Sequence, residues 1–245
     1  MQYFGGKHRT SKLIAEYLNS QLQDQQPFVD LFCGSCNIIS KINPLRKRIA
    51  NDKHFYLVEM WTAFLNGKPF PTKITKEDYA RIKLNKEDDP ALTGFVGFGM
   101  SFGGKWFGGF TGEVSKNGQD YLKCAVSGTE VKLKGLRGVD FFNRDYYNVP
   151  IPDGAVVYCD IPYRGTTAYC KSEVGAFDHE AFYNWAKDMI GIGHKVFISE
   201  YAENVPEDAV VVWSKESGTT NAAWQGSAKK TVEVLFTYKL GGEIK

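Results

Sequence analysis

Phe28-Val29-Asp30-Leu31-Phe32-Cys33-Gly34-Ser35-Cys36 is the stretch that decides the fold. A short apolar run passes directly into small residues, as when a buried strand ends in a tight turn. Upstream, Thr10 or Ser11 can cap a helix whose Leu13, Ile14, Tyr17, Leu18 and Leu22 keep helical spacing, and Gln25-Gln26-Pro27 ends it. Far downstream, Val156-Val157-Tyr158-Cys159 forms a second strand. Asp178 caps a helix with Ala181, Phe182, Trp185, Ala186, Met189 and Ile190 on one face. Lys195 to Ser199 and Val232 to Tyr238 add two more strands. Strands alternating with helices predict an α/β fold with a largely parallel sheet covered on both faces.

The chain has 245 residues, enough to bury a sizeable core. Its apolar runs are short and broken by charge, well below the roughly 20 residues of a membrane span, and Met1 to Lys7 carries no apolar leader. A cytoplasmic protein that contacts no membrane and acts as a monomer is expected. The five cysteines, Cys33, Cys36, Cys124, Cys159 and Cys170, are odd in number and irregularly spaced, unlike a disulfide framework. Cys33-Gly34-Ser35-Cys36 has the look of a zinc or redox half-site, but two further ligands would have to come from distant segments. The bland alternative is two small buried residues beside a glycine turn, and no metal is expected.

Between Trp61 and Val139 there are 12 Lys and Arg against 8 Asp and Glu, whereas the rest of the chain has 18 against 20. The basic middle suits either ordinary solvated surface or a polyanion-binding face. Nine of the 25 glycines lie between Gly94 and Gly118, interleaved with Phe, Trp and Lys. Such a run is expected to hold neither helical nor strand periodicity for long. It suits a nucleic-acid-facing loop system, with Lys105 on phosphate and Trp106 stacking or wedging, or alternatively an aromatic core packed under loops.

In an open α/β sheet, ligands bind beyond the carboxyl ends of the strands. Asp30 to Cys36 is one such place, although a single glycine turn is not the Gly-x-Gly-x-x-Gly of dinucleotide folds. Arg48-Ile49-Ala50-Asn51-Asp52 sets a carboxylate where a second strand would end, suited to the two hydroxyls of a ribose. These features suggest an adenosine-containing cofactor and lean away from NAD. Cys159-Asp160-Ile161-Pro162-Tyr163 is the third place. There an aspartate can accept from an exocyclic amine, a main-chain carbonyl can take its second hydrogen, and an aromatic ring can stack on a base flipped from the duplex. As a bare turn after a strand, the same residues are also common structural punctuation.

Taken together, the sequence resembles the Dam-type, D12-class DNA adenine-N6 methyltransferases, and phage-borne members most. The resemblance rests on Tyr3-Phe4-Gly5-Gly6-Lys7, the loop Phe28 to Cys36, an inserted middle segment, and an Asp-Pro-Pro-Tyr-type loop at Asp160 to Tyr163, in that order. It implies a Rossmann-like class I S-adenosylmethionine-dependent sheet from residues 1–60 and 139–245, with a target-recognition insertion at 61–138. It further implies that Tyr3, Gly6 and Lys7 line the cofactor side, that Asp30, Phe32 and Gly34 surround the methionine part of S-adenosylmethionine, and that Asp52 takes the ribose. Asp145 would face the adenine of the cofactor. Asp160 and the Ile161 carbonyl would hold the target amine, with Pro162 stiffening the loop and Tyr163 stacking on the base. The substrate would be double-stranded DNA, with Lys229 and Lys230 near phosphate.

Two positions depart from the family pattern. Ile161 replaces a proline and loses its fixed φ, and Cys36 replaces a glycine, which costs strain only if φ is positive there. The alternatives are a cytosine-N4 methyltransferase, which in the resembling family pairs with Ser at the position of Asp160, and a catalytically impaired DNA-binding homologue.

Overall fold

A computed structural model describes residues 6, 7, 9–115, 117–164, 177–217 and 231–239. The strands are β1 (Phe28–Asp30), β2 (Arg48–Asn51), β3 (Val139–Phe142), β4 (Val156–Cys159), β5 (Lys195–Tyr201), β6 (Ala209–Ser217) and β7 (Thr231–Tyr238). The helices are α1 (Ser11–Gln21), α2 (Phe55–Leu65), α3 (Lys76–Leu84), α4 (Pro90–Gly99), α5 (Tyr121–Leu136) and α6 (His179–Gly191).

The strands form one sheet in the order β3-β2-β1-β4-β5-β7-β6. The first five are parallel, and β7 runs antiparallel to both β5 and β6. This is the doubly wound order as far as β5, with a reversed strand added at one edge, and it matches the Rossmann-like sheet expected. Chain order reverses between β1 and β4, so the crevice where such sheets bind ligands opens beyond Asp30 and Cys159.

Side chains alternate across the sheet. Phe28, Ala50, Val156 and Tyr158 enter one core with α1, α2, α4 and α5, while Val29, Ile49, Val157 and Cys159 enter a second core under α6. Segment 61–138 therefore shares the first core with the sheet. Trp61, where the insertion was expected to begin, is wholly buried inside α2.

The glycine-rich run departs from expectation. Pro90 to Gly99 is a helix, capped by Asp89 and opened by Pro90, and it takes in Gly94 and Gly97. Glycine is tolerated because α4 lies against α2 and the following loop. A Cβ at Gly94 would sit 2.0 Å from the Tyr56 carbonyl oxygen, and one at Gly97 would sit 2.3 Å from the Trp106 ring. Close packing outweighs the helix cost of each glycine, about 1 kcal/mol. Helix α3 carries a full capping box between Thr75 and Asp78.

Arg48 ties the last helix of the middle segment to the sheet. Only 1% exposed, its guanidinium donates to the carbonyls of Ile42 at 3.3 Å, Gly135 at 2.7 Å and Arg137 at 2.5 Å. It thereby satisfies orphan carbonyls at the end of α5. Arg48→Met should lower unfolding free energy by about 3 kcal/mol, since buried carbonyls are left unpaired. A urea titration checks this, and an unchanged midpoint would mean that the tie contributes nothing.

Candidate active site at the strand switch point

Three aspartates meet where the sheet reverses order. Asp30 ends β1 and is buried at 1% exposure. Burial and the nearby Asp160 push its carboxyl well above the usual range, with Asp52 adding to the effect while backbone N–H groups of Ile39 and Phe32 oppose it. Among the described residues, Asp30 Oδ1 has no hydrogen-bond partner. Asp52 follows β2, with Oδ2 accepting from Gly34 N–H at 2.8 Å and Oδ1 from His54 N–H at 2.8 Å. Its carboxyl is also raised by burial, against the pull of those two donors.

The loop from Cys33 to Cys36 lies between them. Gly34 has φ 45° and Cys36 φ 55°, both left-handed. Cys36 therefore occupies a position that favours glycine, at a cost of about 1 kcal/mol, while its side chain is fully buried. Hydrogen bonding to Cys36, together with burial, pushes the Cys33 thiol well up, and burial raises Cys36. Both belong to the core below the loop.

Asp160 stands at the end of β4. Its Oδ1 receives the ammonium of Lys7 at 2.6 Å, with the side chains 5% and 22% exposed. Lys7, expected on the cofactor side, reaches the loop that follows β4. Its Nζ lies 4.4 Å from the centre of the Tyr163 ring and 3.9 Å from Glu233 Oε1. Burial alone would depress Lys7, but Asp160, Tyr158 and Glu233 outweigh it and hold the ammonium charged. Burial raises Asp160 and Lys7 draws it back down.

Ile161 answers the question its sequence position poses. Its side chain is 2% exposed and packs in the core beneath α6, so burial anchors the loop where the family has a proline ring. The His179 Nε2–H donates to the Pro162 carbonyl at 2.7 Å, and the Arg164 N–H donates to Glu200 Oε2 at 3.0 Å. Glu200 is itself fully buried, with Oε1 accepting from Tyr201 N–H and the Asn204 amide. Tyr163 packs edge-on to Tyr201, ring centres 4.6 Å apart.

Asp145 lies beyond β3, paired with Lys53 at 2.8 Å. Phe32 packs with Tyr146, Phe177 and Phe182 nearby. Asn51, which sequence reasoning missed, links these loops: its amide donates to Leu31 and Arg144 carbonyls and accepts from Arg144 N–H. Gly6 lies one residue before Lys7, half-buried. Tyr3, Lys229 and Lys230 lie outside the described residues.

In the middle segment, Lys105 is exposed, but Trp106 is half-buried. Its ring packs against His54 at 4.4 Å, Phe98 at 4.7 Å and Tyr56 at 5.3 Å. Trp106 thus supports the loop from within. The projecting aromatic is Phe102, 74% exposed, beside Gly103 at φ 63°. Exposure cannot be told from composition in a run where nearly every residue is aromatic or glycine.

S-adenosylmethionine carries an ammonium and a ribose diol, and the buried Asp30, with one oxygen unpartnered among the described residues, and Asp52 offer acceptors that fit its donors. The sheet order is that of a Rossmann-like methyltransferase fold. Residues 3–91 match the family model of "D12 class N6 adenine-specific DNA methyltransferase". The chain is accordingly an S-adenosylmethionine-dependent enzyme that methylates the N6 amine of adenine in DNA. No curated protein matches the chain. Solved structures similar to it include a conserved hypothetical protein of Streptococcus pyogenes, at 8% identity over 94% of this chain and 95% of that one, TM-score 0.39. A putative methyltransferase, yhhF, from Escherichia coli has 10% identity over 97% and 92%, TM-score 0.35. A putative rRNA methylase from Clostridium thermocellum has 9% identity over 91% and 95%, TM-score 0.37. These scores are too low to bear on function. No helix among the described residues is long and apolar enough to cross a membrane.

Lys7→Met would remove the ammonium that offsets burial of Asp160, so the carboxyl should titrate at higher pH. Activity that needs Asp160 ionised is lost as pH falls through its pKa. The acid limb of the kcat/KM profile should therefore move to higher pH. An unmoved limb would separate Lys7 from the ionisation of Asp160.

Proposed function

We propose that Asp160, Ile161 and Tyr163 hold an adenine flipped from double-stranded DNA, and that Asp30, Phe32, Gly34, Asp52 and Asp145 hold S-adenosylmethionine beside it. The observation that carries this is the convergence of Asp30, Asp52 and Asp160 at the switch point, with Lys7 on only one oxygen of Asp160. Bound there, S-adenosylmethionine supplies an electrophilic methyl carbon. Asp160 Oδ2 and the Ile161 carbonyl accept the two hydrogens of the N6 amine and orient the nitrogen lone pair. As positive charge grows on nitrogen, both acceptors stabilise it more strongly than they stabilise the ground state. Lys7, on the other oxygen and over the Tyr163 ring, fixes the carboxylate plane and the tilt of the stacking ring.

Segment 61–138 is the part that reads DNA, and the enzyme works as a monomer on specific sites. Within it, the loop around Phe102 and Lys105 faces the duplex. Phe102 is shaped to wedge into the stack and Lys105 to meet phosphate.

Transfer of tritiated methyl to mixed-sequence duplex DNA should give label in N6-methyladenine on nucleoside digestion, and Asp160→Ala should abolish it. Label in N4-methylcytosine, or equal label from the Asp160→Ala protein, would overturn the assignment. Phe102→Ala should raise KM for DNA about tenfold while leaving KM for S-adenosylmethionine alone, the loss of one wedge contact being worth about 1.4 kcal/mol. Trp106→Phe should act mainly on stability, and a thermal melt separates the two effects.

A further inference from the structure

Two side chains from the middle segment hold the cofactor loop by its carbonyls. The indole N–H of Trp61 donates to Gly34 O at 3.0 Å, and the Lys132 ammonium donates to Ser35 O at 2.7 Å. The ammonium also lies 5.9 Å from the Trp61 ring centre. Lys132 belongs to α5, which is pressed against Ile39–Lys41, the turn that follows the loop. A Cβ on Gly135 would come within 2.1 Å of the Ser40 carbonyl oxygen. On its opposite side the loop is fixed by Asp52, on Gly34 N–H.

The loop needs such support. Gly34 and Cys36 are both left-handed, a conformation that Cys36 does not favour by itself. Carbonyls turned away from β1 must also find donors once buried. Keeping a lysine there has a cost: burial, with Lys41 adding and Cys36 opposing, brings its ammonium down to about 8. A solvated position would have spared α5 that cost, so the ammonium is retained against its own desolvation.

We propose that Lys132 is a positioning residue for S-adenosylmethionine: together with Trp61 it holds the Gly34–Cys36 turn in its binding shape, so helix α5 of the middle segment sets cofactor affinity. The inference rests on the assignment of Asp30, Asp52 and this loop to the cofactor.

The test is calorimetric titration of S-adenosylmethionine into the full chain, with steady-state kinetics alongside. Lys132→Met should raise Kd and KM for S-adenosylmethionine about tenfold, as expected for loss of one charge-assisted bond at the loop. kcat at saturating cofactor and KM for DNA should stay within about twofold. Lys132→Arg should restore most of the affinity. Lys134→Met, an exposed lysine on the same helix, should leave it unchanged. Trp61→Phe, which keeps the ring and removes the N–H, should weaken binding in the same sense and serves if Lys132→Met does not fold. Wild-type affinity in both Lys132→Met and Trp61→Phe would overturn the proposal. Loss of binding in Asp52→Ala alone would then leave the cofactor assignment standing, whereas full binding by Asp52→Ala would remove that assignment as well.

Discussion

The ion pair between Lys7 and Asp160 is the contact on which the candidate site depends. A carboxylate after β4, buried and facing Glu233 and Glu200, is in a place where ionisation is unfavourable. Lys7 offsets this with one ammonium, and in doing so it ties the residues before α1 to the end of β4. The same ammonium lies over Tyr163, so the acceptor and the ring that follows it are set by a single group. Around this pair the loop is fastened by neutral means: Ile161 in the core, Pro162 by His179, and Arg164 by Glu200. A proline at position 161 would restrict one dihedral. Burial of Ile161 restricts the whole residue, at the price of depending on the core under α6.

The second constraint is the left-handed turn at Gly34 and Cys36. Its donors and acceptors are met from three elements, Asp52 after β2, Trp61 in α2 and Lys132 in α5. The sheet and the middle segment are consequently one packed body on this face, with α2, α4 and α5 sharing the core that Phe28 and Tyr158 enter. Arg48 completes the connection at the far end of α5. A site whose walls come from both regions can transmit strain between them, because a packed interior has few intermediate arrangements.

Much of this was legible in the sequence where physics is local. The strands at Phe28, Val156 and Lys195 announce themselves by apolar runs that stop at a polar or small residue, and the places just beyond them hold Asp30 and Asp160. The helix under the second core follows from its spacing and from Asp178 at its cap. Elements that depend on distant partners were not legible. Helix α4 contains glycines that only make sense once α2 and Trp106 lie against them. The outward direction of Phe102, rather than Trp106, follows from a ring cluster assembled from separate segments. Strand β6 went unrecognised although Val210 to Trp213 is apolar, because its role at an edge beside a reversed β7 is a matter of topology. Arg48, Asn51, Lys132 and Glu200 read as ordinary polar residues in sequence, and Lys7 was expected on the cofactor side with no partner named; their contacts exist only across the fold.

Lys7 and Asp160 act as one unit. A double-mutant cycle of Lys7→Met and Asp160→Asn on unfolding free energy measures that directly. Lys7→Met strands Asp160, whereas Asp160→Asn leaves Lys7 beside Glu233, and a coupling of about 2 kcal/mol between positions 7 and 160 is expected. Additivity of the two changes within about 0.3 kcal/mol would contradict the account, leaving the catalytic loop to be held by Ile161, His179 and Glu200 alone.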